Sequence, residues 1–149
     1  MISVAIDAST ALRDIGAMLE RSLAIEPVLA MIGKLEVENV KARIQQSKLN
    51  PWGGDWAPWA AWTAEDRAKK GNAEQGLLWD TGALLDSIHF SVDSLRSMSF
   101  VDIGSDLYYA LDLQEGTAIM PAREFLGWND EDALFYERIL YNYIETGTP

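Results

Sequence analysis

Few residues in this chain have the types and spacing that chemistry requires. His89 is the sole histidine, placed where a helix is expected to give way to a strand, and no nucleophile motif lies near it. A structural or exposed histidine is therefore the reading taken. Cysteine is absent, which removes thiolate nucleophiles, thiolate zinc sites and disulfides. Carboxylates are plentiful, and a glycosidase-type acid pair needs only two of them facing each other, yet no spacing marks out a pair. No phosphate-binding glycine loop, dinucleotide fingerprint or His-Glu-x-x-His motif occurs. Asn129-Asp-Glu-Asp132 groups four oxygen-bearing side chains, but a calcium loop alternates its ligands through a longer run with a central glycine. The four fit better as a helix start, with Asn129 as cap and acids in the first turn to suit the helix dipole. The chain is expected to have no catalytic residues, no metal site and no cofactor, and not to be an enzyme.

The remaining chemistry is that of recognition. Residues 107–128 read LYYALDLQEGTAIMPAREFLGW. They combine an amphipathic run (Leu107, Ala110, Leu111, Gln114), a stop at Gly116-Thr117, and a rigid entry at Pro121 that biases Met120 towards extended backbone. Arg123 is the single basic residue of the stretch, set in a largely apolar run beside Glu124. The stretch is expected to cross the surface as a defined docking arm. Residues 50–62, NPWGGDWAPWAAW, hold four of the six tryptophans, and two glycines and two prolines deny them regular structure. These indoles fit a satellite core or a recognition surface, tryptophan being enriched among binding hot spots; a sugar-binding platform is a third reading for which aromatic residues alone are weak evidence. The candidate contact residues are Trp52, Trp56, Trp59, Tyr109, Pro121, Arg123, Phe125 and Leu126.

The elements that must position these segments follow from periodicity. Ile2, Val4 and Ile6 alternate as in a strand. Leu12, Ile15, Leu19 and Leu23 recur at helical spacing behind a cap at Ser9. Pro27 opens a second helix carrying Val28, Ile32, Leu35, Val37, Val40 and Ile44 on a drifting apolar face, ending near Ser47. Thr63 is expected to cap a third helix, followed by the basic cluster Arg67, Lys69 and Lys70. A short helix begins at Asp80-Thr81-Gly82. Two strands follow, around Phe90–Val92 and Met98–Ile103, the second with a slip in its alternation, joined through residues 93–97. Gly104-Ser105-Asp106 ends the strand and caps the next helix. The last helix carries Leu134, Phe135, Ile139, Leu140 and Tyr143.

Together these predict one α+β domain over residues 1–149, with long N-terminal helices and a C-terminal helix packed on a small antiparallel sheet. The length suits a single core, and 48% hydrophobic against 23% charged residues is the balance of a folded chain. Twelve basic and 23 acidic residues give a formal net charge of −11, and the pI is near 4.4. Such a charge opposes adhesion to phosphates and to anionic membranes. Residues 1–10 lack the basic start of a signal peptide, and no apolar run nears the roughly 20 residues that span a bilayer.

Ordered blocks along the chain resemble the phage virion morphogenesis (tail completion) family and related head–tail neck proteins. The blocks are Asn50-Pro51-Trp52-Gly53 with Trp56-Ala57-Pro58, then Thr63 and Lys69-Lys70, then Leu78-Trp-Asp-Thr81-Gly82-Ala-Leu84 with Ser87-Ile88. Val101-Asp-Ile-Gly104-Ser105, Tyr109-Ala110, Gly116-Thr117 and Pro121-Ala-Arg-Glu-Phe125-Leu-Gly127 complete the set. Some relatives carry histidine or glutamate shortly before the glycine of the arm, where this chain has Leu113, Gln114 and Glu115. Trp59 and Trp62 lie outside the family pattern.

The resemblance implies a virion protein made in the host cytoplasm. It implies a hexameric ring at the head–tail junction that meets other neck, tail tube or connector proteins, with DNA passing through without sequence-specific binding and with no membrane partner. Arg123 would pair with a neighbour's acid and Phe125 would fill a neighbour's pocket. An acidic DNA-mimic inhibitor is the alternative suggested by charge, and a small hydrolase the further one.

Overall fold

The computed structural model describes residues 9–95 and 98–148, so the strand expected at residues 2–6 lies outside the described residues. Two long helices come first, α1 (Ser9–Leu23) and α2 (Glu26–Ala42). Pro27 occupies the first turn of α2, where its missing N–H leaves no helical bond unmade. A π-type turn over Arg43–Ser47 prolongs α2 until Lys48 turns left-handed at φ 58° and stops it, so the helix ends where the spacing predicts.

After the tryptophan loop come α3 (Ala61–Lys70), α4 (Ala83–Ser87), β1 (Ile88–Leu95), β2 (Met98–Ser105), α5 (Ala110–Glu115) and α6 (Asp130–Thr146). Two expected caps are not used. The chain stays extended at Ala60 and becomes helical at once, so Ala60 takes the cap position and Thr63 lies inside α3. Asp106 does not cap α5, which starts only at Ala110. Instead the Ser105 hydroxyl accepts from the Leu107 N–H at 3.2 Å and turns the chain locally.

The strands pair antiparallel from Ile88↔Ser105 to Leu95↔Met98, longer than the alternation predicts, with only positions 96 and 97 between them. There is no slip in β2. Val101 and Ile103 face inward opposite Val92 and Phe90, while Met98 and Phe100 face solvent. The fold is α+β: among the described residues, this two-stranded sheet is packed on helices.

α2 is the spine. Val28, Leu29, Ile32 and Val40 are buried along it, and burial of each such side chain contributes on the order of 1.5–3 kcal/mol. Gly33 lets the hairpin approach closely. A Cβ there would stand 2.5 Å from the Phe90 ring and 2.8 Å from Val101. Val40 and Ile44 continue into the main core with Trp56, Leu78, Leu84, Leu85, Ile88, Ala110 and Phe125. Tyr136 of α6 closes a second cluster over Val28 and Ile32.

A charged group sits inside this apolar frame. Glu36, on the buried face of α2, is 2% exposed. Its Oε1 accepts from Arg43 Nη2 at 2.7 Å, and its Oε2 accepts from the Tyr136 hydroxyl at 2.5 Å. Asn39 Nδ2 donates to the same Tyr136 oxygen at 2.9 Å.

Candidate assembly surface

The tryptophan loop is built around Asn50. Its Oδ1 accepts from the N–H groups of Trp52 and Gly54 at 3.0 and 2.8 Å, an Asx-type turn that Gly53 completes with φ +82°. The loop sorts its indoles. Trp56 points inward, buried, and donates through Nε1 to Glu124 O at 2.8 Å. Trp59 is half-buried under the Arg67 guanidinium, whose carbon lies 4.9 Å from the ring centroid, and it donates to Leu77 O at 3.2 Å. Trp52 and Trp62 remain exposed, at 58% and 74%. Satellite core and open surface therefore coexist in one loop.

The arm is folded down rather than projecting. Gly116 ends α5 with φ +76°, a conformation that favours glycine, and a Cβ there would meet Ala122 N at 2.6 Å. Thr117 closes the following turn, its N–H donating to Met120 O at 2.7 Å. Gln114 then acts as a stand-in strand. Its Oε1 accepts from both Phe125 N and Leu126 N at 3.0 Å, and its Nε2 donates to Leu126 O at 2.9 Å.

Arg123 completes the closure, 6% exposed, with Nε donating to Ala57 O and Nη2 to Pro58 O, both at 2.8 Å. Burial lowers its pKa from the usual arginine value. Phe125, 1% exposed, fills the protein's own core. The side chains of Arg123, Phe125 and Trp56 are buried and join arm to loop within one chain, Trp56 taking the satellite-core place. The reason is local. A guanidinium bonded to two loop carbonyls, and a ring buried in the same core cluster as Val40 and Ile44, are satisfied inside the protomer.

Of the other expected contact residues, Pro121 is exposed and lines the same groove as Trp62, whereas Tyr109 and Leu126 are half-buried. Tyr109 meets the exposed Tyr108 edge to face at 5.3 Å, and burial raises its pKa. Ile119, at 97% exposure, caps the turn of the arm. A groove of about 490 Å³ runs between arm and α3, walled by Trp59, Trp62, Leu113, Ile119 and Pro121; among the described residues, Arg67 and Arg123 are its charged lining. A second cleft of about 420 Å³ opens between Trp52 and Trp128 beside Asp102.

Sequence reasoning missed Glu36, Arg43, Gln114 and Gly33. Glu36 left one signal: a carboxylate midway between Ile32 and Val40 in the apolar register of α2. Asn129 and Asp132 form a capping box, with Asp132 N donating to Asn129 Oδ1 at 2.9 Å. No group of three or more His, Cys, Asp or Glu suited to a metal occurs among the described residues. His89 is exposed on β1, with Nδ1 2.9 Å from Ser87 O. No helix among the described residues is long and apolar enough to cross a membrane.

A model of the phage virion morphogenesis family matches residues 6–145, in agreement with the ordered blocks. No curated protein and no solved structure matches the chain.

Proposed function

The chain belongs to the phage virion morphogenesis family, and from that premise we propose that it is a structural component of the head–tail junction. In this reading it completes or terminates the tail as a hexameric ring of identical subunits, through which DNA passes. The observation that carries the reading is the division of labour in the arm and loop. Arg123, Phe125, Trp56 and Gln114 lock the two segments together, and that lock holds Trp52, Trp62, Ile119 and Pro121 out in solvent.

A fixed apolar surface of this kind is what a repeated subunit or partner contact requires. The net charge of −11 adds to it, because an acidic channel wall lets DNA slide without adhering. In this reading Trp52, Trp59, Tyr109, Pro121 and Leu126 border the contacts, and neighbouring neck, tail tube or connector proteins supply the other side.

Electron microscopy of particles made by a phage lacking this gene is the test. Filled heads separated from tails, rejoined when the protein is added back, is the expected result. Tails of abnormal length would place the subunit at tail termination. Normal infectious particles would overturn the reading and bring the DNA-mimic alternative forward.

A further inference from the structure

Helix α1 is mounted inside out. Leu12, Ile15, Leu19 and Leu23 share one face by their three- and four-residue spacing, and they are 68%, 60%, 59% and 77% exposed. Among the described residues, none of α1 is buried. The helix is held to the protein by its other side. Half-buried Arg21 donates from Nε to Ile144 O and from Nη2 to Glu145 O, each at 2.6 Å, which satisfies carbonyls at the C-terminal end of α6. Ala17, one turn before Arg21, is likewise half-buried. An amphipathic helix normally turns its apolar stripe to its own core, and here the stripe faces away.

We propose that this stripe seats in the groove between arm and α3 of a second copy of the chain. Three observations select that occupant. First, shape: the stripe is a convex ridge, whereas the groove is concave, about 490 Å³, and walled by apolar side chains including the almost fully exposed Ile119. Both halves are carried by one chain at different places, which is the arrangement a head-to-tail ring contact demands.

Second, charge: copies with a net charge of −11 repel one another, and this pairing places no acidic side chain of the ridge or of the groove lining at the contact. The four ridge residues are all uncharged, and the ionisable residues lining the groove, Arg67 and Arg123, are cations. Arg67 is paired with Asp80 at 3.5 Å and Arg123 with two loop carbonyls, so an uncharged ridge enters without stranding a charge, while the acidic chain as a whole works against an anionic lipid surface. Third, area: the four aliphatic side chains offer on the order of 500 Å² of apolar surface, most of the roughly 800 Å² per partner in a standard interface. The proposal rests on the self-assembly in the reading above and not on its position at the neck.

The chain has no cysteine, so introduced thiols are the only ones. Leu19→Cys and Ile119→Cys variants, purified separately, are mixed at high concentration under mild oxidation. The expected product is a disulfide-linked heterodimer of the two variants in clear excess over both homodimers, since a disulfide needs its Cβ atoms about 4 Å apart. Leu19→Asp in the unmodified protein should weaken self-association in sedimentation by about tenfold or more, as for loss of an interface anchor.

Dominant homodimers of the Leu19→Cys variant would overturn the groove assignment in favour of ridge-to-ridge pairing. Absence of any excess heterodimer, or a Leu19→Asp variant that associates like wild type, would remove the ridge from self-contact. These results leave the neck role standing if phage lacking the gene still show separated heads and tails, so the two readings fail separately.

Discussion

Glu36 lies where the helical pattern of α2 calls for an aliphatic side chain, and a carboxylate there survives only because it is fully partnered. Arg43 and Tyr136 hold one oxygen each, and Arg43 also donates to Gly127 O at 2.8 Å, at the far end of the arm. Burial first, and then the bond to Glu36, raise the Tyr136 pKa above its ordinary value of 10. The folded protein therefore favours the neutral hydroxyl, so this stabilisation is complete below pH 10 and is lost as pH rises above that value. Tyr136→Phe should act twice. At neutral pH it should lower stability by about 1–3 kcal/mol, because it leaves a buried carboxylate oxygen without its donor. Above pH 10 its stability should fall less steeply than that of the wild type. Urea titrations at neutral and alkaline pH read both effects, and equal stability at neutral pH would rule out the network described.

At the scale of elements, periodicity made much of the fold legible. Pro27 and the apolar spacing placed α2, the Asn129 cap with its acidic first turn placed the start of α6, and alternating apolar residues placed the hairpin. Two facts had no sequence signal. The stripe of α1 has the same spacing whether it faces a core or solvent. The run Pro121 to Gly127 announces stiffness but not whether the stiff segment lies down or stands out, which depends on Gln114 and on the carbonyls of Ala57 and Pro58.

Gly33 also escaped notice, because glycine inside a helix usually signals only weakness. Helix propensity alone would have Gly33→Ala stabilise by up to about 1 kcal/mol. The contact with Phe90 and Val101 should reverse that sign. A net loss of about 1–2 kcal/mol is expected, as for an overpacked core. A raised melting temperature for Gly33→Ala would show that α2 and the hairpin are less closely packed.

For the whole molecule, the arm and loop separate residues that build the protomer from residues held out in solvent, which the proposed reading assigns to partners. Phe125→Ala should cost about 3–5 kcal/mol, typical of an aromatic side chain removed from a core, and should abolish assembly through loss of the fold. Trp52→Ala should leave the melting temperature nearly unchanged while reducing rescue of phage that lack the gene. Equal damage to folding by both variants would refute that division.

The outward mounting of α1 also bears on kinetics. Among the described residues its attachment includes Arg21 on the end of α6 and, just past its last residue, a bond from the Tyr143 hydroxyl to Ala24 O at 3.0 Å, and none of its side chains is buried. A unit so lightly fastened should open without disturbing the rest of the protein. Amide hydrogens of α1 should then exchange with solvent orders of magnitude faster than those of buried α2, and should slow when copies associate. If copies associate through this ridge as proposed, its turns should become rigid only once a neighbour arrives, so that assembly rather than folding sets how long their amides stay protected.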